Sequence, residues 1–140
     1  MFSVRNLGEY LAGDWHLERS IVDRRQSIRG DLAGMATFTR IPEGLDFIEE
    51  GTFRFGAHAG PASRRYKYVL LSDTDAEIRF TDGTHFCHVN LSTGVCCATH
   101  LCGRDTYVGT FTARSATGLD VEWRVSGPRK DATIRSHYRR

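Results

Sequence analysis

The stretch LAGDWHLERSI (residues 11–21) poses the fold question. A Gly-x-Trp step at Gly13–Trp15 is followed by alternating large and polar side chains, the period-two pattern of a strand with one buried face. Upstream, Ser3 can cap a short helix on which Leu7, Tyr10 and Leu11 share one side, with Gly13 as its stop. Downstream, strands are predicted over 14–23, 34–41, 45–55, 65–72, 75–81, 85–91, 95–102, 105–113, 119–126 and 131–139, with turn residues between them. The stretches 23–34 and 55–64 read as irregular. About ten short antiparallel strands with tight connections predict an all-β domain. Meander connectivity favours an up-and-down barrel over a sandwich, because closure removes exposed edges.

Composition bounds the rest. At 140 residues the chain suits a single domain over 1–140. Nineteen Lys and Arg against 17 Asp and Glu leave a net charge of +2, too weak a field to predict nucleic-acid or membrane partners. The basic stretch 124–140 reads as a solvated strand edge. No apolar run approaches the roughly 18 residues of a membrane span, and the N-terminus lacks a secretory pattern, so a cytoplasmic location is expected. Cys87, Cys96, Cys97 and Cys102 never form CxxC, which predicts free, packed thiols. Neither a cofactor nor an oligomeric state has a signature in the sequence.

Gly13-Asp14-Trp15, after a short helix and at the head of the first strand, resembles the opening of calycins, the superfamily of lipocalins and fatty-acid-binding proteins. That resemblance implies that Trp15 plugs one barrel end and that a late-strand Arg covers it. DGTHFCHVNLSTG (82–94), HLCGRDTY (100–107), WRVSGPRKD (123–131) and EEGTFRF followed by GPASRRY (49–66) together resemble an uncharacterised bacterial family of calycin-like domains. The resemblance implies a lipocalin-like barrel and brings no activity with it.

Register arithmetic then asks which chemically able residues meet. A three-residue loop at Ser92-Thr93-Gly94 pairs Leu91 with Val95, His88 with Ala98 and Phe86 with His100. A two-residue turn at Gly103-Arg104 pairs Cys102 with Asp105 and His100 with Tyr107. Continuing the meander sets Trp123 against Gly109 and Ile134, and Val125 against Tyr107 and Ala132. One face then carries Phe86, His88, Cys96, His100, Cys102, Asp105, Tyr107, Phe111, Val121, Trp123, Val125, Ile134 and Tyr138, and is read as the lumen. For residues 75–81 two registers stay open, one facing Glu77 and Arg79 inward, the other Ile78 and Phe80.

A lumen of aromatics with a few placed polar groups predicts a site for a small, partly apolar organic ligand. His88, His100 and Tyr107 would hold its polar end, and Trp123, Phe86 and Phe111 its body. Cys102, Asp105, Glu50 and Tyr66 are further candidates. An alternative is a small barrel enzyme with His100 or His88 as general acid or base and Tyr107 as hydrogen-bond donor. A third reading is a haem or metal barrel in which His88 and His100 join Cys102 or Asp105, although no tight metal-ligand spacing is present.

Overall fold

In a computed structural model, which describes all 140 residues, Asn6 caps the N-terminal helix in place of Ser3. Its side chain accepts from the Glu9 N–H at 2.9 Å, and helix α1 runs over Leu7–Leu11. Ten strands follow: β1 (Gly13–Asp23), β2 (Ile28–Ile41), β3 (Gly44–Phe55), β4 (His58–Leu70), β5 (Asp75–Arg79), β6 (His85–Asn90), β7 (Val95–Cys102), β8 (Asp105–Ser115), β9 (Gly118–Gly127) and β10 (Lys130–Arg139). They form one antiparallel sheet in the order β6-β5-β4-β3-β2-β1-β10-β9-β8-β7, rolled into a nearly closed barrel. Side chains at alternate positions fill it, among them Trp15, Leu17, Ala36, Phe38, Leu45 and Phe47.

The end plug implied by Trp15 is present. The indole is fully buried, its N–H donates to the Leu11 carbonyl at 2.8 Å, and the Arg140 guanidinium lies 4.1 Å above the ring. Arg140 also donates to the carbonyls of Ala12 and Ala116, which fastens the C-terminus over the plug. The cation thus covers an aromatic face and supplies two carbonyls with donors in one move.

The registers predicted for Trp123, Val125, Tyr107, His100 and Cys102 across β7 to β10 are all present. The pairing predicted between β6 and β7 is not. These strands are the two ends of the sheet and carry no backbone ladder between them. The Leu91 carbonyl accepts from Val4 N–H at 3.0 Å and from Gly94 N–H at 2.9 Å, so the N-terminal segment takes the bond a hairpin partner would have made. Above that point the seam is held by side chains. The Asn90 N–H donates to Cys96 Sγ at 3.5 Å, and His100 Nδ1–H donates to the Phe86 carbonyl at 3.0 Å.

Strands β2 and β4 also run longer than predicted, through Gly30, Gly60 and Pro61. These residues are breakers only where a ladder or side-chain packing would suffer. Strand β5 pairs with β4 only over Lys67–Leu70, so Pro61 sits where β4 has a free edge and its missing N–H costs no bond. Gly34 and Gly51 face each other so closely that a Cβ on Gly34 would stand 2.0 Å from the Glu50 carbonyl oxygen.

A β-bulge decides the face of β6. Cys87 pairs with Ile78 and His85 with Arg79, leaving Phe86 as an extra residue. Phe86 and Cys87 are consequently both buried in succession, and His88 is turned to the outside. The open question over 75–81 closes with Ala76 and Ile78 buried, even though Glu77 pairs with His88, because both of those face outward.

Candidate functional site

Four polar side chains meet inside the barrel. Arg19 shares the inward parity of Trp15 and Leu17 on β1, and Glu49 that of Leu45 and Phe47 on β3. Ser136 and Tyr138 come from β10, where Ser136 is the register partner of Arg19. Arg19 Nη2 lies 2.6 Å from Glu49 Oε2, and its Nε donates to Ser136 Oγ at 2.7 Å. The Tyr138 hydroxyl donates to the same Glu49 oxygen at 2.5 Å. All four residues are buried.

Glu49 Oε1 is the exception in this network, a buried oxygen without a hydrogen-bond partner. A carboxylate oxygen withdrawn from water and left unbonded is costly, by about 1–3 kcal/mol or more. Arg64, its register partner on β4, stands with Nε 4.0 Å away and its side chain partly in solvent. Burial alone would lower the Arg19 pKa, but the Tyr138 and Glu49 oxygens outweigh it and hold the guanidinium charged. Burial first, then the Glu49 charge, pushes the Tyr138 phenol far up, so it remains a neutral donor.

This group forms part of the wall of a cavity of about 40 Å³. Most of the remaining wall is aromatic and continuous. Phe47 stacks on Tyr66 at 6.0 Å, Tyr66 on Phe86 at 5.4 Å, and Phe86 on Trp123 at 5.0 Å, with Phe111 edge-on to Trp123. Burial raises the Tyr66 and Tyr68 phenols as well, so both face the cavity uncharged. A second cavity of about 60 Å³, bordered by Leu32, Glu50, Gly51, Ala62, Ser63 and Arg64, abuts the same Arg19–Glu49 pair from another side.

The residues singled out in the sequence divide into three groups. Phe86, Phe111, Trp123 and Tyr66 line the cavity. His100 and Tyr107 stand beside it: the imidazole packs on Phe86 and Tyr107 at 5.1 and 5.9 Å, and the Tyr107 hydroxyl accepts from Lys130 Nζ at 3.2 Å. Asp105 lies 3.0 Å from the same Lys130 at the β7–β8 turn. Three expectations are corrected. His88 is exposed on the outer wall because of the bulge, Cys102 is exposed at the turn, and Glu50 is exposed while its neighbour Glu49 turns inward. The metal set of His88 and His100 with Cys102 or Asp105 is therefore not assembled, since the sheet wall separates the two rings. Of the enzyme candidates, His100 and Tyr107 pack together at 5.9 Å, while His88 lies on the outer wall. Outside, His88 instead joins His85 and Glu77.

Sheet order, plug and lumen together define a nearly closed, ten-stranded antiparallel β-barrel domain. Within that class the chain belongs to DUF6314, a family of unknown function whose profile matches residues 11–140. No curated protein sequence matches the chain. In structure it is similar to the S-type phycobiliprotein lyase CPES from Guillardia theta, with a TM-score of 0.68 at 9% identity over 99% of this chain and 93% of that one. It is also similar to a DUF3598 protein of unknown function from Nostoc punctiforme, at TM-score 0.62 and 9% identity, covering 95% of this chain and 48% of that one. A redesigned β-barrel matches at TM-score 0.50 and 18% identity over 99% and 98% of the two chains. At these identities the likeness is one of fold.

Proposed function

We propose that the barrel binds a small, partly apolar, uncharged organic molecule whose N–H or O–H donor is accepted by Glu49 Oε1. The observation that carries this reading is that oxygen: in an otherwise satisfied buried network it is the one acceptor without a partner, and it belongs to a cavity-lining residue. Arg19 already balances the Glu49 charge, so a neutral donor suffices. The stack from Phe47 to Phe111 offers ring faces to the ligand body. His100 and Tyr107, at the edge of this stack, are the second polar pair available to a longer ligand.

A volume of about 40 Å³ holds a few water molecules, so a ring compound enters only if the walls part. The seam supports such opening. Between β6 and β7 the barrel widens by releasing side-chain bonds of Cys96 and His100, with no backbone ladder to break.

Native mass spectrometry of protein purified without denaturation tests the reading, alongside melting shifts with a library of neutral aromatic fragments. Expected is a non-covalent adduct or a fragment-induced rise in Tm that is lost when Arg19→Met and Glu49→Leu are combined. Absence of both in the wild-type protein would overturn it.

A further inference from the structure

We infer that Glu77, His85 and His88 form a zinc-class divalent cation site on the outer wall of the β5–β6 hairpin. This inference stands apart from the lumen and from any ligand bound there. In a regular strand, residues three apart point to opposite faces. The extra residue at Phe86 cancels that rule and sets both histidines on one face, with Glu77 directly across from His88 in the register.

The potential ligand atoms of the three side chains lie within 4.8 Å of one another. His85 Nδ1 is 2.7 Å from Glu77 Oε2, and the two imidazole centroids are 5.0 Å apart. Arg79 Nε bonds the other Glu77 oxygen at 2.5 Å, which turns Oε2 toward the histidines. Such bonds to a ligating carboxylate fix its orientation in metal centres.

Two imidazole nitrogens and one carboxylate oxygen are a donor set for zinc, with the fourth position left to water. Magnesium and calcium prefer all-oxygen shells and would not select it. Tetrahedral bonds of about 2.0–2.1 Å place ligand atoms about 3.3–3.4 Å apart. The His85–Glu77 separation is already within that distance, and the exposed His88 closes the rest by turning its side chain. The ion replaces the proton now held between His85 and Glu77. On the other side of the same hairpin Ile78 and Phe86 line the lumen, so a bound cation would brace a strand at the seam.

Isothermal titration of the full chain with zinc chloride tests the site, with magnesium chloride as control. The exposed thiols Cys97 and Cys102 are the competing ligands, so a Cys97→Ser/Cys102→Ser variant is titrated in parallel. Expected is saturable 1:1 zinc binding that persists in the serine variant and weakens at least about tenfold in His85→Ala and in His88→Ala. Both histidines are exposed, and circular dichroism confirms that the variants remain folded. Binding unaffected by the histidine changes, binding abolished by the serine changes, or no saturable binding below about 1 mM would each overturn the assignment.

Discussion

Tyr138 and Glu49, on strands that are not neighbours in the sheet, are joined across the barrel by a 2.5 Å hydrogen bond. The bond commits one carboxylate oxygen to the tyrosine and to Arg19, while the other remains unpartnered. A chain that needed only a rigid core could fill this space with aliphatic side chains at no loss of stability. Retaining an ion pair with one open acceptor is the arrangement expected of a recognition site.

Breaking this pair from one side is expected to be costly. Arg19→Met should destabilise the protein by roughly 3–5 kcal/mol, because Glu49 is left as a buried, uncompensated charge. Combining it with Glu49→Leu should recover most of that loss. Urea unfolding of the two variants and the wild type measures both steps, and additive losses in the double variant would contradict the network.

Gly109 exists to seat Trp123. A Cβ at Gly109 would stand 2.8 Å from the indole ring, which crosses the bare backbone of β8. Gly109→Ala should therefore cost about 1–3 kcal/mol and shift the tryptophan emission as the ring is displaced. Fluorescence-detected unfolding reports both, and an unchanged midpoint and spectrum would show that the ring is not held there.

The seam should be the most easily opened part of the wall. Amides in 85–90 and 95–102 are expected to exchange with deuterium faster than those of β1 and β2, which are paired on both sides. His100→Ala removes the bond to the Phe86 carbonyl, about 1 kcal/mol, and should speed exchange in both seam segments roughly fivefold. Mass spectrometry of proteolytic fragments reads the effect. Exchange that rises evenly around the barrel would argue against a weak seam.

Alkaline pH should destabilise the fold. Burial pushes the Tyr10 phenol up to about 12 and the Cys87 thiol up to about 12, and raises Tyr66, Tyr68 and Tyr138 as well. The unfolded chain releases these protons near pH 9 to 10, whereas the folded chain still holds them. Stability is thus fully present below about pH 9 and falls as pH rises toward 12. Melting temperatures followed with tyrosinate absorbance should show these phenols ionising together with unfolding. Ionisation of Tyr10, Tyr66, Tyr68 and Tyr138 near pH 10 in a protein that stays folded would contradict this account of their shifts.

The half of the barrel from β7 to β10 could be read closely from the sequence because short turns leave little freedom of register. Gly103 takes a left-handed φ of 61°, as the two-residue turn required. The other half hid its features for specific reasons. The extra residue at Phe86 has no local mark, and together with the absent β6–β7 ladder it accounts for His88 lying on the outer wall. Gly30, Gly60 and Pro61 fall in stretches that read as irregular because their compensations, a free edge and a close strand approach, are tertiary. Arg19 and Glu49 were discoverable, since Arg19 follows Trp15 and Leu17 at even spacing and Glu49 follows Leu45 and Phe47. Their charge masks that parity, and Glu50, one residue later, lies on the opposite face.

The proposed lumen ligand donates a hydrogen bond to the open Glu49 oxygen. Isothermal titration with indole and with benzofuran, a near-isostere without the N–H, separates that bond from simple apolar burial. Expected are 1:1 indole binding, benzofuran weaker by about tenfold, and equal affinities for the two in the Arg19→Met/Glu49→Leu variant. Equal binding of both probes by the wild-type protein, or binding of neither, would contradict it.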